Sequence, residues 1–404
     1  DSTERREAHP PAFFAAAGVS GLHCGLRHCM LYRFDFGINN DWRERVDTLM
    51  QDEIRSICSK FIIYGDFLVG VPMGGGHVND TYQLTYDQGG VRLHYTLQRI
   101  NHYVFRNPEQ VMSNMDRVTE HLLRKIRARH AETRKRTLRL LRTRTNRPFV
   151  QDERGNYWRA YVYVENARAY SLLESPKQAF QAAQAFGEFQ CDLVDLPGPR
   201  LYETIPDFHN PPKRIAALEQ AIAEDRVGRA AEVKPEIDFV FERREEAGKL
   251  LALVDEDAIP ERITHNDTKI SNILIDDLTG EGMCVIDLDT VMPGLSLYDF
   301  GDMVRAGTGS AEEDEVRLER VGMRFDMFEA TLQGFLSSAG KFLNEAEREN
   351  LPFSGKLITF ETGVRFLTDY LNGDVYFKTS RPRQNLDRCR NQFQMVRSIE
   401  AQMD

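Results

Sequence analysis

Apolar positions along this chain follow two rhythms, and the change between them divides it. In the first part, residues 81–86 and 91–99 alternate apolar and polar side chains on either side of Asp87-Gln88-Gly89-Gly90, which predicts a β-hairpin. A strand is predicted over 61–67, and a second pair over 147–151 and 157–165 flanks the turn at 152–156. One helix, 108–129, lies among these strands. An earlier one is expected over 40–58, with Trp42, Val46, Leu49, Met50 and Ile54 at helical spacing. From Ser175 the period becomes helical. Ser175-Pro176-Lys177-Gln178 supplies an N-cap, Pro at the first helical position and Gln at the third, predicting a helix to about Leu193. Further helices fit 212–225, 235–254, 313–338, 345–350 and 355–371. The only clear strands of the second part lie around 263–289.

Residues 1–38 follow neither rhythm and read as an N-terminal extension. The rest is expected to be an α+β protein of two lobes: a small mixed lobe with an antiparallel sheet over 39–165, and a larger, mainly helical lobe over 166–404.

Composition narrows the function classes. With 41% hydrophobic residues among 404, the chain can build sizeable cores. A net charge of −10 argues against a constitutive nucleic-acid binder. The one basic tract, 124–147, holds eleven Lys/Arg against Glu132, without interleaved aromatics, and reads as a solvated face. The six cysteines (24, 29, 58, 191, 284 and 389) form no CxxC pair and suggest a reducing compartment. No apolar run is long enough to span a bilayer, so no membrane partner is expected. Residues 11–19, after Arg5-Arg6, imitate the apolar core of a secretory leader. That reading conflicts with the chemistry described next, which calls for a cytoplasmic protein. The sequence is silent on oligomeric state.

Candidate chemistry concentrates in His265-Asn266-Asp267-Thr268-Lys269-Ile270-Ser271-Asn272 and in Val285-Ile286-Asp287. Phosphoryl transfer needs a carboxylate to take the proton of an attacking hydroxyl, and oxygen ligands for the Mg²⁺ that bridges nucleotide phosphates. Asp267 is the candidate base, and Asn272 and Asp287 are the candidate metal ligands. A loop with turn residues feeding an ordinary strand would account for a lone HxD, but less well for HxDxxxxN followed by an apolar run ending in Asp. A glycine turn, Gly74-Gly75-Gly76-His77, lies between two strands where backbone N–H groups can approach phosphates without interference from Cβ atoms. It matches neither a P-loop nor a dinucleotide fingerprint. With Asn79 and Thr81 it forms the candidate nucleotide contacts. Arg99 stands where a kinase's nucleotide lobe offers a lysine, with Glu109, Asp116 or Glu120 as its acidic tether. Residues 161–165, ending at Glu165, would be the hinge against adenine. His209 reads as a hydrogen-bonded structural histidine.

The strings HNDTKISN, VIDLDTVMPGLSLYDFGDMVR (285–305), GGGHVNDTY (74–82), LQRIN (97–101) and ETGVRFLTDYLNGDVYFK (361–378) resemble the aminoglycoside-phosphotransferase-like superfamily. Within it they most resemble the N-acetylhexosamine 1-kinases, over about residues 45–404. The resemblance implies ATP and Mg²⁺ as co-substrate and cofactor and phosphorylation of an N-acetylhexosamine at its anomeric hydroxyl. It makes Asp267 the base and Asn272 and Asp287 the Mg²⁺ ligands. His77 would lie over phosphates and acceptor, and Arg365 and Tyr376 would line the sugar pocket. Arg99 departs from the superfamily's usual lysine.

Overall fold

A computed structural model describes residues 50–74, 78–129 and 136–403. The chain divides into one unit over 1–53 and another over Ile54–Asp404. Of the first, only residues 50–53 are described, and they are helical. The extension over 1–38, the leader-like stretch at 11–19 and most of the helix expected over 40–58 lie outside the described residues. All that follows concerns the second unit.

Its first part is a five-stranded antiparallel sheet of β1 (Asp66–Pro72), β2 (Asp80–Gln88), β3 (Val91–Ile100), β4 (Val150–Gln151) and β5 (Tyr157–Val162), in the order β1-β2-β3-β5-β4. The β2–β3 hairpin forms as its alternation requires. Gly89 and Gly90 both take positive φ (63° and 88°), the geometry of a tight two-residue turn. Asp87 Oδ1 accepts the Gly90 N–H at 2.8 Å and closes it. The strand expected over 61–67 is displaced to Asp66–Pro72. Gly65, at φ 99°, bends the chain so tightly that a Cβ there would lie 2.4 Å from the Asp87 carbonyl oxygen, and Phe61 keeps only an isolated bridge to Thr143. Between β3 and β4, α1 (Pro108–Ala128) starts at Asn107, whose side chain accepts the Gln110 N–H at 3.2 Å. It buries Val111, Met112, Met115, Val118 and Leu122, one stripe at helical spacing. Each such side chain contributes roughly 1.5–3 kcal/mol before the entropy of ordering it.

The second part begins with β6 (Ala167–Arg168) and α2 (Pro176–Leu193), followed by α3 (Pro211–Glu224), α4 (Lys234–Glu242) and α5 (Lys249–Asp255). Four short strands come next: β7 (Arg262–Thr264), β8 (Ile273–Asp276), β9 (Gly282–Val285) and β10 (Met292–Gly294). They pair as β10-β7 and β6-β8-β9. The chain ends in α6 (Ser296–Gly307), α7 (Phe325–Ala339), α8 (Glu345–Glu349), α9 (Leu351–Leu371) and α10 (Gln384–Glu400). One apolar core joins α1, α2, α6, α7 and the short strands. A second joins α3, α4, α9 and α10, with Phe239 stacked on Phe393 at 4.4 Å. Among the described residues no helix is long and apolar enough to cross a membrane.

Several boundaries differ from expectation for local reasons. The helix expected over 235–254 is two, separated by a 3₁₀ turn at Glu246–Gly248. The one expected over 313–338 begins only at Phe325. Its acidic start is drawn instead into side-chain bonds, Glu313 to Arg305 at 2.8 Å and Asp314 to Gln384 at 2.9 Å. Two helices had no clear signal. In α6 almost every position is buried, so there is no polar face to mark a period. In α10 the apolar stripe of Leu386, Cys389, Phe393 and Val396 is diluted by buried Asn385, Asn391 and Gln392.

Helix α2 crosses α7 at Gly334, where a Cβ would lie 2.2 Å from the Phe180 carbonyl oxygen. In an unconstrained helix, Gly→Ala adds about 1 kcal/mol of stability. Here the backbone cannot yield, and Gly334→Ala is expected to cost roughly 1–3 kcal/mol in urea unfolding. A gain in stability would show that the crossing is loose.

Candidate active site

The site is built around a turn that ordinary backbone geometry would not hold. Beyond β7, Asn266 takes φ 63°, a left-handed conformation that Asn tolerates better than most residues. Its side chain anchors it, donating from Nδ2 to the Thr290 carbonyl at 2.9 Å and accepting at Oδ1 from the Thr264 hydroxyl at 3.0 Å. Asp299, buried in the first turn of α6, accepts the His265 N–H at 2.9 Å and the Asn266 N–H at 2.7 Å. The Thr268 hydroxyl donates to the Asp299 carbonyl at 2.6 Å. The His265 ring is packed edge-on by Phe186 and Phe189 of α2, with Nε2 2.9 Å from the Ile286 carbonyl. It is a strut of the turn.

Asp267 emerges from this frame. Its Oδ2 accepts from Lys269 Nζ at 2.8 Å and Asn272 Nδ2 at 2.9 Å. Burial alone would push its carboxyl up, but the ammonium of Lys269 above all holds it well below the usual carboxylate range. Asp267 is therefore ionised throughout the neutral range. Asn272 also donates to the Asp267 carbonyl at 2.8 Å, so its Nδ2 is fully committed toward Asp267. The Ile286 N–H donates to the Asn272 carbonyl at 2.9 Å, bringing Asp287 alongside. Asp287 has φ 59° and, among the described residues, its carboxylate makes no hydrogen bond or ion pair. Burial, then the neighbouring Asp289, push its pKa up, and Lys269 only partly offsets them. A carboxylate under that strain suits a cation. Among the described residues no group of three or more His, Cys, Asp or Glu side chains converges on a metal site. The Asn272 amide oxygen and the Asp287 carboxylate instead suit an ion that draws its remaining ligands from water and phosphate, as Mg²⁺ does.

The sheet side of the site was only partly anticipated. Gly75, Gly76 and His77 lie outside the described residues, and Gly74 marks where the turn leaves β1. Asn79 donates from Nδ2 to Asp289 Oδ2 at 2.6 Å and accepts the Asn101 N–H at 3.0 Å, so its side chain pins the turn to the loop that carries Asp287. Thr81 Oγ1 accepts from Gln98 Nε2 at 2.9 Å. Arg99 pairs with Asp80 and lies over the Trp158 ring. None of the three expected tethers holds it: Asp116 and Glu120 pair with Arg142, and Glu109 pairs with Arg147. Adjacent strands place Arg99 next to Asp80 in register.

The cation that pairs with Asp289, in the loop carrying Asp287, is Arg159 of β5, which sequence reasoning missed. Its side chain is 1% exposed. It pairs with Asp289, Nη2 lying 3.0 Å from Oδ2, and donates to Gln98 Oε1 at 2.7 and 2.9 Å. An arginine inside the apolar run Tyr157-Trp158-Arg159-Ala160-Tyr161 was the available signal, since an unpaired charge is almost never buried.

Glu165 uses its carboxylate on His94 Nδ1 at 2.7 Å, leaving its backbone as what it could offer a nucleotide. On the opposite side, Arg365 of α9 lies between the Phe208 and Phe377 rings, 5.2 and 5.5 Å from their centroids. Tyr376 packs edge-on against Phe377 at 4.8 Å. Asp369 accepts the N–H groups of Val375, Tyr376 and Phe377 at 2.8–3.0 Å and fixes that loop. His209, next to Phe208, bridges this cluster to the Asn266 carbonyl at 3.0 Å. In the basic tract, Lys125, Arg129, Arg142 and Arg147 each hold a carboxylate.

Antiparallel sheet, helical second part and HxDxxxxN turn together define a kinase-like phosphotransferase. Residues 69–331, well over half of the chain, match the phosphotransferase enzyme family (APH), and the chain belongs to that family. Among solved structures, an aminoglycoside phosphotransferase from Alicyclobacillus acidocaldarius superposes with a TM-score of 0.55 at 14% identity, covering 86% of this chain and 95% of that one. A choline kinase from Cryptosporidium parvum gives 0.54 at 10% identity, covering 87% and 96%. An aminoglycoside phosphotransferase solved with GDP and kanamycin gives 0.52 at 12% identity, covering 87% and 99%. At these identities the likeness is one of fold.

Removing one partner of a fully buried ion pair strands the other. Arg159→Met is therefore expected to lower stability by about 3–5 kcal/mol in denaturant unfolding, with most of the loss recovered when Asp289→Leu is added. A double variant as unstable as the single one would mean that the Asp289 charge is not what Arg159 serves.

Proposed function

We propose that this protein transfers the γ-phosphoryl group of ATP to the anomeric hydroxyl of an N-acetylhexosamine, giving the sugar 1-phosphate. The observation that carries this reading is the ionised Asp267 carboxylate on a rigid turn, bridged through His209 to a wall of Phe208, Arg365, Phe377 and Tyr376. A neutral sugar needs an apolar or aromatic wall with a few convergent donors, and this wall offers both. A cationic acceptor such as choline or kanamycin would meet the Arg365 and Arg214 guanidiniums, which already repel one another across the same region. The resemblance to the sugar 1-kinases points the same way.

In the reaction, the sugar O1 forms a bond to Pγ while the bond from Pγ to the β–γ bridging oxygen breaks and ADP leaves. Asp267 orients the hydroxyl and takes its proton. Its low pKa suits a loose transition state, in which the proton moves late and positioning outweighs basicity. Lys269 keeps Asp267 ionised until then. Asn272 and Asp287 would hold Mg²⁺, which would neutralise charge on the nucleotide phosphates. The glycine turn at 74–77 is assigned to the phosphates, and beside it Asn79 is tied to Asp289 and Thr81 to Gln98. The backbone near Glu165 would meet adenine, its carboxylate being engaged by His94. The use of ATP assigns the protein to the cytoplasm.

With N-acetylglucosamine or N-acetylgalactosamine as acceptor, Asp267→Asn is expected to lower kcat by about 10²–10⁴ while ATP affinity changes little. Turnover within a few-fold of the parent would take Asp267 out of the base role.

A further inference from the structure

Resting on that reading of Asp267, we infer that His209 is a positioning residue: an imidazolium clamped between Glu361 and the Asn266 carbonyl, it holds the turn that presents the base. Both of its ring nitrogens face groups that accept. Nδ1 lies 2.6 Å from Glu361 Oε2, and Nε2 lies 3.0 Å from the Asn266 carbonyl oxygen. A neutral ring has one N–H and would leave one of these contacts as lone pair against lone pair. Two protons on the ring satisfy both.

The surroundings favour retaining that charge. Glu361, on α9, is 1% exposed, and among the described residues its Oε1 has no hydrogen-bond partner; Arg214 Nε of α3 stands 4.0 Å away. Deprotonating the ring would strand this carboxylate in the core. From α6, the Tyr298 ring packs at 5.0 Å and Asp302 adds a second negative charge, while the Arg214 guanidinium stands by Glu361 and is opposed by Arg365. Burial pushes the His209 pKa down, but the Glu361 carboxylate more than offsets it, and the net shift is upward. A raised histidine pKa gives a contribution that is complete below the unfolded value and lost as pH rises through the folded one. The clamp therefore loosens on the alkaline side.

What it clamps matters. Asn266 is held in its left-handed conformation by Asp299 on its N–H and by His209 on its carbonyl, and the next residue is Asp267. Phe208, the residue before His209, stacks against Arg365. Base and acceptor wall thus share one attachment.

The test follows the ring and the rate together in the full chain. Nitrogen NMR of ¹⁵N-labelled histidine should find the His209 ring doubly protonated at neutral pH, and kcat for sugar phosphorylation should fall along an alkaline limb at the same pH. In Glu361→Gln, shown folded by thermal unfolding, ring titration and limb should both move down by about one pH unit or more, with KM for ATP little changed. A ring found neutral at pH 7 overturns the inference. So does a limb that stays in place while the ring titration moves, because His209 would then be only a strut. If no acceptor is phosphorylated, the proposed function fails. The amide shifts of Asn266 and Asp267 then decide this inference alone: moving with the ring supports it, and staying still overturns it.

Discussion

The whole site hangs on one buried carboxylate. Asp299 sits inside the protein with its two oxygens turned to the N–H groups of consecutive residues, His265 and Asn266, and to Gln190 of α2. Two consecutive amides can point at one carboxylate only if the backbone turns sharply, and that turn sends Asp267 outward. Removing the acceptor would leave two buried donors unsatisfied, each a loss of roughly 1–3 kcal/mol. The φ of Asn266 is therefore maintained in part by α6, through Asp299. Such over-determination is how a fold keeps a reactive group in place before substrate arrives.

Helix α9 plays the matching part on the side proposed for the acceptor. Glu361, Arg365 and Asp369 recur every four residues and so share one face. Glu361 reaches His209, Arg365 reaches the two phenylalanine rings, and Asp369 gathers the backbone of 375–377. The same helix carries Leu357 and Ile358 into one core and Val364 and Leu367 into the other. Its position is thus set by packing on both sides, and three polar side chains convert that position into the shape of the proposed acceptor wall.

What could be read from the sequence was what is close in sequence. Asp267 and Asn272 meet because five residues span one turn and a 3₁₀ step, and the glycine hairpin forms because its turn chemistry is local. The α+β organisation followed from the change of rhythm near residue 165. Contacts set by register were not legible. Arg159 meets Gln98 and Asp289 across separations of 61 and 130 residues, and nothing local distinguishes it from an exposed arginine except its apolar neighbours. Arg99 looked like the phosphate cation because it ends an alternating strand, yet register hands it to Asp80. The acidic run at 312–315 looked like a helix start because only tertiary partners, Arg305 and Gln384, reveal its use.

An ionised Asp267 and an aromatic, guanidinium-bearing wall are proposed to serve a sugar hydroxyl. The most direct measurement is a competition among N-acetylglucosamine, N-acetylgalactosamine, choline and kanamycin for phosphate from ATP with Mg²⁺, the products being assigned by phosphorus NMR. Phosphate is expected on C1 of the acetamido sugars, with choline and kanamycin left unmodified. Phosphate on choline or kanamycin, with the sugars untouched, would contradict this reading.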